Sequence, residues 1–300
     1  MHPDPWPNAP ELPTPIIMDQ RWTDAVFLHW RIPHAVAAPF MPPGVVPDEF
    51  DGSAWVGLIG FRMQGAGLGR GPGIPYFGSF NEINVRLYSR EPAGTRGVVF
   101  LSLDATRLAV VLAARAAGIP YVWSRAGFGG VGALDPFASL EGGRPAGLLG
   151  PAGLAGPAGA AARPAGQTGS AGAAARPAGQ TGPAVPPGAA NPRAGYWVRR
   201  FRGGARSDFA VAPEFDVEAT DPLSLHLTAR FGLHTRFRGR TLYVPNTHTA
   251  WPLYRAQVTQ LEDQLIAAAG INVTGPPESV LFSPGVRTQF GRPRFLDGGS

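Results

Sequence analysis

A segment at residues 80–88 carries an acid, an amide and a base at a spacing of two. Glu82, Asn84 and Arg86 alternate there with three aliphatic residues. Because successive side chains of a β-strand point to opposite faces, a strand at this position would place the three polar side chains together on one face. On a surface strand that face would be solvated, whereas on a central strand it would line an enclosed space.

Burial would determine the chemistry of these side chains. A buried Glu82 would have a raised pKa and could act as a general acid or base. Arg86 could bind a carboxylate through its bidentate guanidinium, and the Cα atoms of residues 82 and 86 would lie about 13 Å apart along a strand. A ligand could therefore lie over Asn84 between them. Apolar strand candidates at residues 54–59 and 97–103 flank the segment and favour a central strand.

Three further side chains are candidates to line the same space, namely Arg62, Ser102 and His248. Each also has an ordinary structural explanation. Arg62 could pair with an acid on a neighbouring strand, Ser102 could cap a helix, and His248 could be a hydrogen-bonded core histidine. We therefore place them second to Glu82, Asn84 and Arg86 as ligand-binding residues.

Other kinds of catalytic site find no support in the sequence. It contains no cysteine, which excludes disulfides, thiolate catalysis and cysteine metal sites. His226, His234 and His248 have no second ligand two or four residues further on, and no His-Glu-x-x-His or Gly-x-Ser-x-Gly motif is present. We expect neither a metal ion nor a cofactor. The glycines of residues 64–75 fit neither phosphate-loop spacing, so a loop between strands is predicted there.

Few segments have the periodicity of a helix. A helix is predicted from residue 104 to residue 118, with Asp104 or Ser102 capping its start. Two segments fit either a helix or a strand and their periodicity does not separate the two. Two short helices are also predicted, at residues 35–40 and 222–231. The two ambiguous segments are residues 20–30 and 258–268.

Strands and tight turns account for most of the remaining pattern. The Asp51-Gly52 dipeptide, flanked by residues 45–50 and 53–63, predicts a two-residue hairpin turn. Gly203-Gly204 and Arg238-Gly239 mark two further hairpins. The other predicted strands are residues 121–125, 196–201, 209–215 and 279–282.

Glycine and proline are concentrated in one stretch, residues 141–195. The chain has 41 glycines and 33 prolines, and the segment at 159–169 recurs letter for letter at 172–182, thirteen residues further on. No side chain in either copy is large enough to pack a core, so this stretch is predicted to be a disordered insertion. We expect residues 1–15 to be a flexible tail, and residues 16–140 together with 196–295 to form a single domain.

The charge balance does not indicate a nucleic-acid partner. The chain has 26 basic residues, all arginines, and 21 acidic residues. The insertion holds four of the arginines and one of the acids, so the rest of the chain has 22 arginines, 20 acids and a net charge of +2. No secretory signal is visible, and the apolar segment 108–119 is too short to span a bilayer. We expect a cytoplasmic protein with a small-molecule partner, such as an organic acid, and no membrane or nucleic-acid partner. Homo-oligomer formation is left open.

A succession of motifs resembles the YqjF-like family of uncharacterised bacterial proteins. The resemblance covers residues 16–140 and 196–290, and the order of the motifs is more specific than any one of them. The motifs are Asp19-Gln20-Arg21-Trp22, Phe27-Leu28-His29-Trp30, Pro42-Pro43-Gly44, Ala54-Trp55-Val56-Gly57, Asn81-Glu82-Ile83-Asn84-Val85-Arg86, Phe100-Leu101-Ser102-Leu103-Asp104, Thr228-Ala229-Arg230-Phe231, and His248 with Trp251-Pro252-Leu253.

The family is similar in fold to acetoacetate decarboxylase. The resemblance implies an α+β domain in which a strongly curved, mainly antiparallel β-sheet or barrel surrounds a central cavity, with a few helices outside. Acetoacetate decarboxylase acts through a lysine Schiff base, and this chain has no lysine. Arginine stays protonated and cannot replace that nucleophile. The sequence thus leaves a lysine-independent acid/base enzyme of the lyase or hydrolase type, acting on a small carboxylate or carbonyl compound, or a non-catalytic protein that binds or senses one.

Overall fold

A computed structural model describes residues 7–73, 78–107, 118–130 and 193–296 of the chain. Residues 141–192 of the predicted insertion and residues 108–117 of the predicted helix lie outside these ranges, as do residues 1–6 of the predicted tail. Ala194 and Gly195, which the sequence places in the insertion, begin a strand instead.

Thirteen strands of the described residues join in one sheet. They are β1 (Met18–Ile32), β2 (Val46–Pro47), β3 (Ala54–Leu68), β4 (Phe80–Arg90), β5 (Arg96–Ala105), β6 (Tyr121–Gly130), β7 (Ala194–Arg200), β8 (Arg206–Glu218), β9 (Gly232–Phe237), β10 (Arg240–His248), β11 (Tyr254–Asp263), β12 (Ser279–Phe290) and β13 (Arg294–Phe295). The helices are short: α1 (His34–Ala37), a 3₁₀ turn (Ala38–Phe40), α2 (Pro222–Thr228) and α3 (Leu265–Ala268).

The sheet closes on itself twice. The first ring runs β12–β1–β3–β4–β5–β9–β10 and returns to β12. The second ring shares β12, β1, β3, β4 and β5 with the first and closes through β6, β7, β8 and β11. Neighbouring strands are antiparallel except in the β5–β6 and β5–β9 pairs. The prediction of a strongly curved, mainly antiparallel sheet is therefore confirmed.

The shared strands are buried on both faces. Ile83, Val85 and Leu87 of β4 pack with residues of the second ring, among them Tyr196 and Phe209. The other faces of these strands contribute to two further apolar clusters, one of which includes Leu233 of β9 and Val244 of β10. Burial on both faces explains the continuous apolar runs at residues 25–28 of β1 and 54–61 of β3.

The Asp51-Gly52 turn is confirmed, but the strand that precedes it pairs elsewhere. Both residues have positive φ, 55° and 70°, and a bridge joins Phe50 to Ser53. β2 pairs with β4 rather than with β3, through Val46 opposite Arg90. The reason is the register, since β3 meets β4 only up to the Val56–Leu87 pair and leaves the last residues of β4 available to β2.

Other local predictions have mixed outcomes. The helical turn at 35–40 and the hairpins at Gly203-Gly204 and Arg238-Gly239 are confirmed, and the helix predicted at 222–231 forms but ends at Thr228. Residues 20–30 are strand throughout, and 258–268 divides between β11 and α3. The capping role of Ser102 or Asp104 is wrong, because both residues lie inside β5. Among the described residues, no helix has the length and apolar character needed to cross a membrane.

The double burial of β3 predicts a contrast between two leucines of that strand. Leu58 is 0% exposed and Leu68 is 75% exposed. Leu58→Ala should lower the free energy of unfolding by about 2–5 kcal/mol, because it leaves a cavity between the two rings. Leu68→Ala is the matched control and should change it by less than about 0.5 kcal/mol. Urea denaturation of both variants measures the difference. Equal effects would contradict the burial of β3 between the two rings.

Candidate functional site

A cavity of about 420 Å³ is lined by residues from all seven strands of the first ring. Most of its lining side chains are apolar. The polar ones include Glu82, Asn84, Arg86, Tyr121, Arg230 and His248. A mainly apolar cavity with a few convergent polar groups is the usual form of a small-molecule site.

Glu82 is 2% exposed and is held by two neighbours. Its Oε2 accepts a hydrogen bond from the Tyr121 hydroxyl at 2.7 Å, whereas Oε1 has only a long contact, 3.5 Å, with the Asn84 side-chain amide. Burial raises the pKa of Glu82 to about 7; the bonds from Tyr121 and Asn84 oppose this shift, and the charge of Asp104 adds to it. Near neutral pH the carboxyl group is therefore divided between its protonated and charged forms.

Arg86 is oriented by neutral groups. Its Nε donates to the Tyr88 hydroxyl at 3.1 Å and its Nη2 donates to the Leu227 carbonyl at 3.2 Å. His29 Nε2 lies 2.6 Å from the same hydroxyl. Burial, and after it the charge of Arg86, lowers the pKa of His29 well below its usual value. The neutral imidazole can accept the Tyr88 proton, so the hydroxyl presents its oxygen to Arg86.

Arg230 joins the cavity to a second group of charges. Its Nε donates to the His226 carbonyl at 2.6 Å and its Nη1 donates to Asp48, which also accepts from Arg96 at 2.6 Å. Burial and then the charge of Arg96 lower the pKa of Arg230 to about 10, so it remains a cation at neutral pH. Arg86 and Arg230 both lie over the Tyr88 ring, with Cζ 5.3 and 4.9 Å from its centroid.

Four buried polar atoms on residues that line the cavity have no hydrogen-bond partner among the described residues. Two are donors and two are acceptors: Trp22 Nε1, Arg230 Nη2, Asn84 Oδ1 and Asn246 Oδ1. A buried polar atom without a partner is unfavourable by roughly 1–3 kcal/mol, so native proteins seldom keep one without water or a ligand. Their grouping around one cavity points to a polar ligand.

The structure places four of the six predicted site residues in the cavity wall. Glu82, Asn84, Arg86 and His248 line it. Both nitrogens of His248 contact backbone carbonyls, of Thr249 at 2.8 Å and Arg230 at 3.3 Å, and burial lowers its pKa. These contacts match the alternative of a hydrogen-bonded core histidine. The catalytic and ligand-binding roles of the four residues remain predictions.

Arg62 and Ser102 do not line the cavity, which corrects the expectation that they share it with Glu82. Arg62 pairs with Asp24 at 3.2 Å on the opposite face of β3. Ser102 lies opposite Val85 in the β4–β5 register and therefore shares the face that packs toward the second ring. The period of two explains both corrections, since Arg62 and Ser102 are out of phase with the cavity-lining residues Phe61 and Leu103.

Several residues of the site have no signal in the sequence. Tyr121 is predicted only as the start of a strand, and Tyr88 only as the end of one. Arg230 and His29 occur within family motifs but not in any pattern that specifies a role. Tyr121 contacts Glu82, and His29 and Arg230 contact Tyr88, across long distances in the chain, so local spacing could not reveal them. Tyr88 contacts Arg86 only two residues away, but a period of two does not indicate such a role.

A second polar grouping has the connectivity of a Ser-His-acid triad. His234 Nδ1 lies 2.8 Å from Ser89 Oγ, and its Nε2 lies 3.1 Å from Glu91. Ser89 and His234 are both 0% exposed and neither lines the cavity. We therefore assign the grouping a structural role. No group of three potential metal ligands occurs among the described residues.

The ring-like sheet and its cavity define an acetoacetate decarboxylase-like fold, as comparison with known proteins shows. Residues 19–136 and 188–287 match the model of DUF2071, a family of uncharacterized conserved proteins. The chain belongs to this family. It is also 33% identical over 99 residues to the uncharacterized protein YqjF of Bacillus subtilis (strain 168), an alignment that spans 33% of this chain and only 40% of YqjF.

Similar solved structures include three enzymes. The enduracididine biosynthesis enzyme MppR complexed with pyruvate is 14% identical with a TM-score of 0.53, covering 96% of this chain and 93% of MppR. An acetoacetate decarboxylase-like enzyme from Sphingomonas wittichii RW1 is 10% identical with a TM-score of 0.54, covering 95% and 94%. Acetoacetate decarboxylase from Legionella pneumophila is 10% identical with a TM-score of 0.52, covering 97% and 92%. Because these sequence identities are so low, the structural similarity establishes a shared fold and not a shared function.

The raised pKa of Glu82 predicts a loss of stability as pH rises. Its pKa is about 7 in the folded protein against 4.5 for the free side chain, so the folded state binds the proton more tightly. The free energy of unfolding should therefore fall between those two pH values and level off above them. Because Glu82→Gln keeps an acceptor for Tyr121 but carries no charge, its stability relative to wild type should rise by about 3 kcal/mol across this window.

Denaturant unfolding of both proteins at a series of pH values measures this difference. Glu262→Gln, which removes an exposed carboxylate, is the control and should parallel wild type throughout. A constant difference between Glu82→Gln and wild type from about pH 4 to about pH 8 would show that burial does not raise the pKa of Glu82.

Proposed function

We propose that the cavity binds a small carboxylate or carbonyl compound and that Glu82 exchanges a proton with it. The observation that carries the proposal is the state of Arg86, a cation in the wall of a mainly apolar cavity that forms no ion pair with any described carboxylate. Nη1 of Arg86 has no hydrogen-bond partner among the described residues, since its bonds use Nε and Nη2. A bound carboxylate would supply both the charge and the acceptor.

Glu82 has the properties required for proton exchange. Its pKa of about 7 lets it take and return a proton near neutral pH. Tyr121 holds Oε2 by a short hydrogen bond, whereas Oε1 has only the long contact with Asn84. Oε1 is therefore the oxygen that can contact a ligand. In the simplest reaction Oε1 takes a proton from a carbon beside a carbonyl group, the C–H electron pair forms a C=C bond and the C=O π pair moves to the oxygen. The proton later returns to carbon and the carbonyl group is restored.

The structural neighbours support a compound of this class. MppR was solved with pyruvate, and two other neighbours are an acetoacetate decarboxylase and an acetoacetate decarboxylase-like enzyme. A lysine Schiff base is not part of the proposal, because the chain has no lysine. The chemistry must therefore use the carboxyl group of Glu82 with the cations of the cavity wall.

A non-catalytic binding protein is the second candidate function. The two protein contacts of Glu82, to Tyr121 and Asn84, are what a purely structural buried acid would also have. In that case Arg86 would still hold a carboxylate, but Glu82 would only complete the polar network. The two candidates differ in the effect of removing the Glu82 proton-transfer group.

Replacement of Arg86 should weaken the binding of pyruvate. Arg86→Gln removes the charge and part of the bidentate geometry, and loss of a charge-assisted hydrogen bond corresponds to roughly 10- to 100-fold in Kd. Arg62→Gln is the matched control because Arg62 lies on the adjacent strand but pairs with Asp24 outside the cavity. Isothermal titration calorimetry with pyruvate measures both. Equal affinities of the two variants would exclude the proposed role of Arg86.

Replacement of Glu82 should separate binding from proton exchange. In D₂O the wild-type protein should catalyse exchange of the methyl protons of pyruvate, with a rate that rises with pH as Glu82 ionises near 7. Glu82→Gln should reduce this rate by about 10²- to 10⁴-fold while pyruvate still binds. Proton NMR follows the exchange. Unchanged exchange in Glu82→Gln would exclude the proposed role of Glu82, whereas no exchange in wild type together with normal binding would favour the non-catalytic function.

A further inference from the structure

We infer that the preferred ligand is a carboxylic acid with an apolar tail of several carbon atoms, and that the tail lies beyond Glu82 on the side away from Arg86. The inference rests on the proposed function for the position of the carboxylate, and it adds the class of compound. It follows from the order of side chains along the cavity wall and from the size of the cavity.

The cavity-facing side chains of β4 run from charged at one end to apolar at the other. Along β4 the cavity-facing side chains follow the order Arg86, Asn84, Glu82 and Phe80. Two residues of a strand advance about 6.6 Å, so Phe80 lies about that far beyond Glu82. A ligand that contacts Arg86 and Glu82 is thereby directed toward Phe80.

The wall beyond Glu82 is built largely from apolar side chains. Phe61 lies opposite Glu82, and Met63 lies opposite Phe80 in the β3–β4 register. Trp22 lies opposite Met63 on the next strand and packs against Phe61, with ring centroids 5.3 Å apart. Met18, Ala66 and Leu68 extend the same part of the lining, in which Gln20 is a polar member.

The cavity is larger than a ligand such as pyruvate requires. Its volume of about 420 Å³ lies in the range of cavities that enclose drug-sized molecules. A compound of the size of pyruvate, bound at Arg86, would leave the side chains around Met63 and Phe80 without a partner. An apolar tail would remove these side chains from water, and each buried methylene group contributes to affinity.

Titration with straight-chain 2-oxo acids from pyruvate to 2-oxooctanoate tests the inference on the wild-type protein. We expect Kd to fall about fourfold for each added methylene group until the tail fills the cavity. Ala66→Leu narrows the cavity beyond Glu82. It should raise the Kd of 2-oxooctanoate by at least about tenfold and leave the Kd of pyruvate unchanged. Ala256→Leu, on β11 and packed against the cluster of the second ring, should affect neither acid.

The outcomes distinguish this inference from the proposed function. Equal Kd values along the series, with binding that still depends on Arg86, would overturn the inference and leave the proposed function in place. Binding of none of the acids would overturn both. Affinity that rises with chain length but is the same in Arg86→Gln would overturn both the inferred orientation and the carboxylate role of Arg86. Because the series itself uses wild-type protein, the result does not depend on whether Ala66→Leu folds.

Discussion

The burial of β4 on both faces is the constraint on which the rest of the site depends. β1, β3 and β4 belong to both rings, so neither face of β4 is available to water in the way a surface strand is. Its aliphatic side chains fill the cluster toward the second ring. Its polar side chains must then point into the first ring, where an acid and a base are retained only if other groups satisfy them or if they serve a ligand.

The site satisfies its acid and its bases by different means. Glu82 is held by a tyrosine and an amide, which stabilise the carboxylate less than a cation would and leave its pKa near 7. The guanidiniums of Arg86 and Arg230 form no ion pair with Glu82 and donate to carbonyls of residues 227 and 226 at the end of α2, and Arg230 also pairs with Asp48 outside the cavity lining. Carbonyls at a helix C-terminus favour cations without neutralising them. The cavity thus retains positive charge that a direct Glu82–Arg86 pair would have cancelled.

Alternation in residues 80–88 predicted the β4 strand and the shared face of Glu82, Asn84 and Arg86, because a period of two is a local property of the chain. The same reasoning failed for Arg62 and Ser102, whose phase relative to β4 depends on the register between strands. Alternation could not predict that Tyr121 and Arg230 line the cavity, because the contacts that place them there join distant segments of the chain. The strong curvature of the sheet was accessible only through the family resemblance, and the second ring was not predicted, because no local pattern specifies which strands pair.

The separation of Glu82 from Arg86 has a consequence for any reaction in the cavity. The influences on the pKa of Glu82 are its burial, its bonds to Tyr121 and Asn84, and the charge of Asp104. Arg86 is not among them, so a ligand that pairs with Arg86 removes none of the influences that set this pKa. A ligand can then bind at Arg86 with little effect on proton exchange at Glu82. A single cavity can in this way hold an anion firmly and still keep an acid that changes its protonation state near neutral pH.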